Sequence, residues 1–184
     1  MLNQSKAFSY LNFFLILSFT ILLLRIILNI HIDLPLHFEE AQYWDWSQNL
    51  DWGYFSKPPL LAFLIRVVTE LCGNGENCIR SLSPFLHFLT SLIIFYSVHL
   101  LTKSFKKALL GSFLYLLMPG ISFSSFLIST DVPLLLFSSL IALCIIKIFN
   151  SRKNTFLLFC LLGFFFALGF LSKYAIFYLL LSFL

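Results

Sequence analysis

The chain alternates long apolar runs with short polar breaks, and the breaks are where its charge is concentrated. A first apolar run covers 8–30, with Arg25 and Asn29 near its far end. A polar stretch follows to 57, and the next apolar segment, 58–71, is too short to cross a bilayer, which takes about 20 helical residues. Gly73-Asn-Gly75 ends that segment, and a second crossing spans 79–101. A third, about 107–128, contains Pro119-Gly120, which predicts a kink or local unwinding. Ser129-Thr-Asp-Val-Pro133 reads as a turn with Pro133 in the first turn of a fourth crossing, which runs to Phe149. A fifth covers about 155–171, Leu171-Ser-Lys-Tyr174 interrupts, and a sixth apolar run reaches Leu184. The expected fold is all-α: a polytopic helical membrane protein of about six transmembrane helices, with short juxtamembrane helices in a first outer loop spanning 31–78.

Composition agrees with this pattern. Sixty per cent of the 184 residues are apolar and 11% charged, and the mean hydropathy is +0.94, whereas soluble domains carry roughly a quarter charged residues. The first run lacks a small-residue cleavage site soon after its core, so it reads as an uncleaved helix and not a secretory signal. Placing the N-terminus inside puts Lys6, Lys103, Lys106, Lys107, Lys147, Arg152 and Lys153 on or beside the inner surface. All eight acids, Asp33, Glu39, Glu40, Asp45, Asp51, Glu70, Glu76 and Asp131, then fall outside. The net charge of +4 therefore marks orientation and does not point to nucleic acid. Cys144 and Cys160 read as small apolar residues within spans. Cys72 and Cys78 flank a polar loop and pair if that loop faces an oxidising compartment. No Cys/His spacing fits a zinc site, and neither a metal nor another cofactor is expected.

Polar chemistry concentrates in His37-Phe-Glu-Glu-Ala-Gln-Tyr-Trp-Asp-Trp, running on to Gly53-Tyr-Phe-Ser-Lys-Pro-Pro59. Glu39 to Gln48 lacks Gly and Pro, which predicts a short helix at the membrane surface with Glu39, Tyr43 and Trp46 near one face. Glu39 and Glu40 are candidate catalytic acids; the competing reading is helix-start electrostatics. Asp131, from another hairpin at the same face, carries the same pair of readings. Lys57 and Lys173 are candidate phosphate-binding cations, against an alternative in which each snorkels to the headgroups. Arg80 is either a phosphate contact or a membrane anchor, and Tyr54, beside the Lys-Pro-Pro turn, is a candidate lining residue. His31, His37, His87 and His99 show no ligand spacing, and Arg66 and Glu70, four apart, are expected to pair. Acids beside cations at a lipid–water boundary suit transfer from a lipid-linked phosphate, where a base takes the acceptor proton and positive charge meets the departing phosphate. A transporter or channel would place its ionisable residues mid-span; here they sit mainly at the ends.

Glu39-Glu-Ala-Gln-Tyr-Trp, Trp46-Ser-Gln and Gly53-Tyr-Phe-Ser-Lys-Pro-Pro-Leu60 together resemble the first outer loop of bacterial polyprenyl-phosphate-sugar glycosyltransferases. These are relatives of the protein O-mannosyltransferases and of aminoarabinose transferase, with the membrane fold called GT-C. Cys78-Ile-Arg-Ser-Leu-Ser-Pro84, Ser129-Thr-Asp-Val-Pro133 and Leu171-Ser-Lys173 follow in the family's order. The resemblance implies an enzyme of the bacterial inner membrane, with its N-terminus inside and its active-site loop on the periplasmic side. It would move a sugar from a polyprenyl-phosphate carrier to a lipopolysaccharide, glycolipid or protein acceptor. It places Glu39 at the family's catalytic aspartate, Glu40 at its second acid, Asp131 at the second-loop acid, and Lys57 and Lys173 at cations that hold the lipid phosphate. Ser56 and Gln42 stand where the aminoarabinose branch has an acid and an arginine, so neither a metal site nor a third phosphate cation carries over. The family has roughly twice as many helices and usually a C-terminal outer domain. The chain, ending mid-span, is thus expected to be the N-terminal portion of such an enzyme, with a non-catalytic remnant or partner subunit as the alternative.

Overall fold

The computed structural model describes residues 2–31, 35–151 and 155–181, with the side chains of 2–7 and 180 outside the description. Asp33, Arg152, Lys153 and the Lys6 side chain, used above to orient the chain, therefore lie outside the described residues. Every regular element among the described residues is helical: α1 (Leu2–His31), α2 (Phe38–Gln48), α3 (Leu60–Cys72), α4 (Glu76–Thr102), α5 (Phe105–Leu117), α6 (Pro119–Ser124), α7 (Asp131–Asn150), α8 (Phe156–Ser172) and α9 (Phe177–Leu181), with a 3₁₀ turn at Tyr174–Ile176 before α9. The chain is an all-α polytopic membrane protein.

Three helices are long and apolar enough to cross a membrane, Phe8–His31 of α1, α4 and α7. α8 is apolar over 17 residues, a length of roughly 25 Å. Two of the six apolar runs expected to cross are not single described helices of full length. Pro119 has no N–H to continue α5, so the 107–128 run divides at Met118 into α5 and the six-residue α6. Lys173 ends α8, and only Tyr174–Leu181 of the last apolar run is described.

The break at Met118 frees backbone carbonyls inside the bundle, where each needs a partner from a neighbouring element. Arg25, buried on α1, donates to Leu116 O at 2.5 Å and to Ser122 Oγ at 3.3 Å. Asn29, one turn on, donates to Ser125 O at 3.1 Å. From α4, Ser83 Oγ donates to Ser124 O at 2.6 Å, and His87 bridges Tyr115 Oη (2.7 Å) and Ser124 Oγ (2.6 Å). His87 thus faces other helices, as expected for a polar residue within a span.

Direction along the bundle follows from the pairings. Phe14 stacks on Phe95 and Phe19 meets Phe88 edge-on, so α1 and α4 are antiparallel. α4 and α7 both start beside Glu40, through Arg80 and Ile128, and both end at a small cavity lined by Lys103 and Lys147. The polar loop and the lysine-bearing helix ends therefore occupy opposite ends of the bundle. At the loop end lies the main core, Tyr43, Leu61, Ala62, Ile65, Ile79, Leu82, Leu86, Ile128, Val132 and Leu136.

α3 lies beside this core, with Leu61, Ala62 and Ile65 buried while Arg66 pairs with Glu70 on the wet face at 2.7 Å. Gly73 ends it at φ +90, a backbone conformation in which glycine has no Cβ to strain. Cys72 and Cys78 are disulfide-bonded across that turn, with Cα atoms 5.8 Å apart.

Arg80 departs from expectation. Its side chain is 4% exposed and gripped by Glu40, 1% exposed, at 2.8 Å, and it also donates to Pro35 O at 2.8 Å. A guanidinium held this way is not a membrane anchor. Removing one partner of a buried pair strands the other charge, at about 3–5 kcal/mol, whereas an exposed pair is worth about 0–1 kcal/mol. Arg80→Ala should therefore lower the melting temperature sharply in detergent while Arg66→Ala hardly moves it; equal effects would contradict this assignment.

Candidate active site

The site begins at the cap of α2. His37 Nδ1 accepts the Glu39 N–H at 3.5 Å, and the His37 N–H donates to Glu40 Oε2 at 2.9 Å, the reciprocal arrangement of a capping box. Glu40 also accepts Arg80 and the Ile128 N–H at 2.9 Å. One buried carboxylate thus ties α2, α4 and the segment entering α7 together. Successive helical residues point about 100° apart, so with Glu40 turned inward Glu39 faces a different space.

That space is a cavity of about 560 Å³ lined by Glu39, Tyr43, Ser56, Lys57, Pro58, Thr130, Asp131, Lys173, Tyr174, Ala175, Phe177 and Tyr178. Lys57 lies in the bend before Pro58, where a following proline disfavours helical backbone; its Nζ lies 2.6 Å from Glu39 Oε1 and 5.6 Å from the Tyr43 ring centroid. Asp131 opens α7, and Lys173 follows α8, with Lys173 Nζ 2.7 Å from Asp131 Oδ1. The chain reverses after Lys173 because Gly169 leaves room for Ile176: a Cβ there would meet Ile176 Cδ1 at 2.9 Å.

Four of the sequence candidates, Glu39, Lys57, Asp131 and Lys173, therefore share one cavity as two acid–lysine pairs. Glu40 and Arg80 do not line it; they form the buried pair behind it. Tyr54 does not line it either. Its ring stacks on Trp46 at 4.3 Å and its hydroxyl donates to Trp46 O at 3.0 Å, folding the Asp51–Tyr54 turn against the end of α2. Three tyrosines in the wall, Tyr43, Tyr174 and Tyr178, were not among the sequence candidates. Tyr43 is signalled by its place one turn after Glu39, and Tyr174 by adjacency to Lys173. Burial first, then the charge of Glu39 and the neighbouring Tyr174, pushes the Tyr43 phenol well above its ordinary range, so it keeps its proton. Among the described residues no three His, Cys, Asp or Glu side chains are grouped to hold a metal ion.

Chemically, this cavity offers two carboxylates, two ammonium groups and a rim of aromatic rings at one end of a membrane bundle. The ion pairs are partly exposed, with Lys57 27% and Lys173 42% accessible. Pairs of that kind are worth about 0–1 kcal/mol, so an entering anion can draw either lysine away from its carboxylate at little cost.

Residues 56–184 match the family model described as dolichyl-phosphate-mannose-protein mannosyltransferase. The matched region includes Lys57, Asp131 and Lys173 and begins after Glu39. Over 126 residues, 67% of this chain, the sequence is 37% identical to a lipid A galacturonosyltransferase, RgtD, of Rhizobium johnstonii. The chain spans about a quarter of that relative's length, 26%. No solved structure matches. With the family model covering well over half its residues, this chain belongs to the dolichyl-phosphate-mannose-protein mannosyltransferase family of GT-C glycosyltransferases.

Proposed function

We propose that the chain is the donor-site portion of a glycosyltransferase that moves a sugar from a polyprenyl-phosphate carrier to an acceptor at the outer face of the bacterial inner membrane. The observation that carries this reading is the meeting of two acid–lysine pairs, Glu39–Lys57 and Asp131–Lys173, in one cavity. Lys103 and Lys147 at the opposite end of the bundle support an inside location for that end. The relative's printed activity on lipid A favours a lipopolysaccharide or other glycolipid acceptor over a protein.

In this mechanism the donor phosphate takes Lys57 and Lys173 from their carboxylates. The freed Glu39 accepts the proton of the acceptor hydroxyl, supported by Asp131. The acceptor oxygen bonds to the anomeric carbon as the bond from that carbon to the phosphate oxygen breaks, and the electron pair leaves on the phosphate, where the two ammonium groups neutralise it. The sequence is a single displacement with inversion. Membrane tethering of the donor and its docking at the cavity supply the proximity.

A second reading, a non-catalytic partner subunit that holds the lipid-linked donor, is motivated by Glu39, a glutamate where the family resemblance implies an aspartate. The two readings separate on Glu39. Glu39→Gln should reduce release of polyprenyl phosphate by about 10²–10⁴-fold, the range of a lost general base, with membrane insertion intact. Unchanged turnover would remove Glu39 from the chemistry. Lys57→Gln or Lys173→Gln should weaken binding of a polyprenyl monophosphate by about 10–100-fold, the range for a charge-assisted hydrogen bond. Titration in detergent micelles checks this, and wild-type affinity in both variants would contradict a phosphate site.

A further inference from the structure

Tyr43 is 1% exposed, and its hydroxyl has no hydrogen-bond partner among the described residues. A buried hydroxyl left unpaired is costly, and a phenylalanine would fill the same core without that cost. The other two buried polar atoms without partners, Ser97 Oγ and His99 Nδ1, belong to the far half of α4 and do not line the cavity; Tyr43 does. Its ring is fixed from behind by Trp46, edge-on at 5.0 Å, and the Lys57 ammonium lies over it at 5.6 Å. Glu39 and Lys57, joined to each other at 2.6 Å, line the cavity together with Tyr43, so the tyrosine is part of the wall beside this pair.

We propose that the Tyr43 hydroxyl is a ligand-binding group, donating a hydrogen bond to a phosphate oxygen of the lipid-linked donor held at Lys57. The inference rests on the donor-phosphate reading of the cavity and adds a neutral donor to its two cations. A phenol that keeps its proton beside an acid has a hydrogen to give and suits an anionic oxygen. The phosphate is favoured over a sugar hydroxyl because the cation nearest the ring is the one that draws the phosphate in. Movement of Lys57 from Glu39 to the phosphate opens the space above the ring.

Tyr43→Phe tests this, because it keeps the ring, its edge contact with Trp46 and the lysine above it while deleting one oxygen. In the membrane-extracted full chain, thermophoresis would compare a polyprenyl monophosphate with the corresponding polyprenol, and melting temperatures would be recorded alongside. The expected result is affinity for the monophosphate lowered about tenfold, unchanged affinity for the polyprenol, and a melting temperature equal to or above wild type. Equal monophosphate affinity in Tyr43→Phe and wild type would overturn the proposal, as would equal weakening toward both lipids. If Lys57→Gln loses affinity while Tyr43→Phe does not, the donor site stands and this inference alone falls. If the wild type fails to bind the monophosphate, both fall.

Discussion

One buried carboxylate organises the loop end of this protein. Glu40 accepts hydrogen bonds from the His37 N–H, the Arg80 guanidinium and the Ile128 N–H. Those partners come from the cap of α2, the first turns of α4 and the strand of chain entering α7. Fixing them together fixes the distance between the two hairpin tips that carry Glu39 and Asp131. A charge buried this deeply is tolerated only when it is matched and its lone pairs are filled, and here both conditions hold. The same logic operates deeper in the bundle, where Arg25 and Asn29 from α1 and Ser83 and His87 from α4 satisfy polar groups around the Met118 break. Two polar knots thus position the segment 116–131, one at each end.

Three of the ion pairs at this end, those of Glu40, Glu39 and Asp131, differ in their exposure. Glu40–Arg80 is shut away from solvent, while Glu39–Lys57 and Asp131–Lys173 are partly open. Opening the first strands a charge in a low-dielectric interior; opening either of the others costs about as much as losing a surface pair. An arrangement meant to exchange a carboxylate for an incoming phosphate needs the second kind. Adjacent glutamates thus sit in opposite surroundings, Glu40 buried against Arg80 and Glu39 in the cavity wall, because their helix turns them apart.

Much of this was legible in the residues. The all-α membrane class follows from the apolar runs, and the division near Pro119 from the missing N–H. The short helix over 39–48, the Arg66–Glu70 pair and the stop at Gly73 follow from local pattern. The gathering of Glu39, Lys57, Asp131 and Lys173 was readable because all four sit at hairpin tips facing the same end. Long-range pairing was not readable. Locally only the capping box with His37 distinguishes Glu40 from Glu39; its burial comes from Arg80, forty residues on. Arg25 and Asn29 look like blemishes in an apolar run until α6 is folded against them. Tyr54 looked like a cavity residue because it neighbours Lys57, yet stacking on Trp46 turns it to the loop's own support. The division of 107–128 into two helices was legible only at Pro119, because hydropathy sums over a broken run as readily as over a continuous helix.

The central claim is that these two hairpin tips build one cavity on one side of the bilayer. Cross-linking between Ser56→Cys and Thr130→Cys, both in the cavity wall, tests it most directly, with Cys160 changed to Ser so that no other exposed free thiol among the described residues competes. A membrane-impermeant bis-maleimide with a reach of about three extended residues, roughly 10 Å, applied from the outer side of sealed vesicles, should join the two positions within one chain. Labelling of the two cysteines from opposite sides, or efficient single labelling without a cross-link, would contradict it.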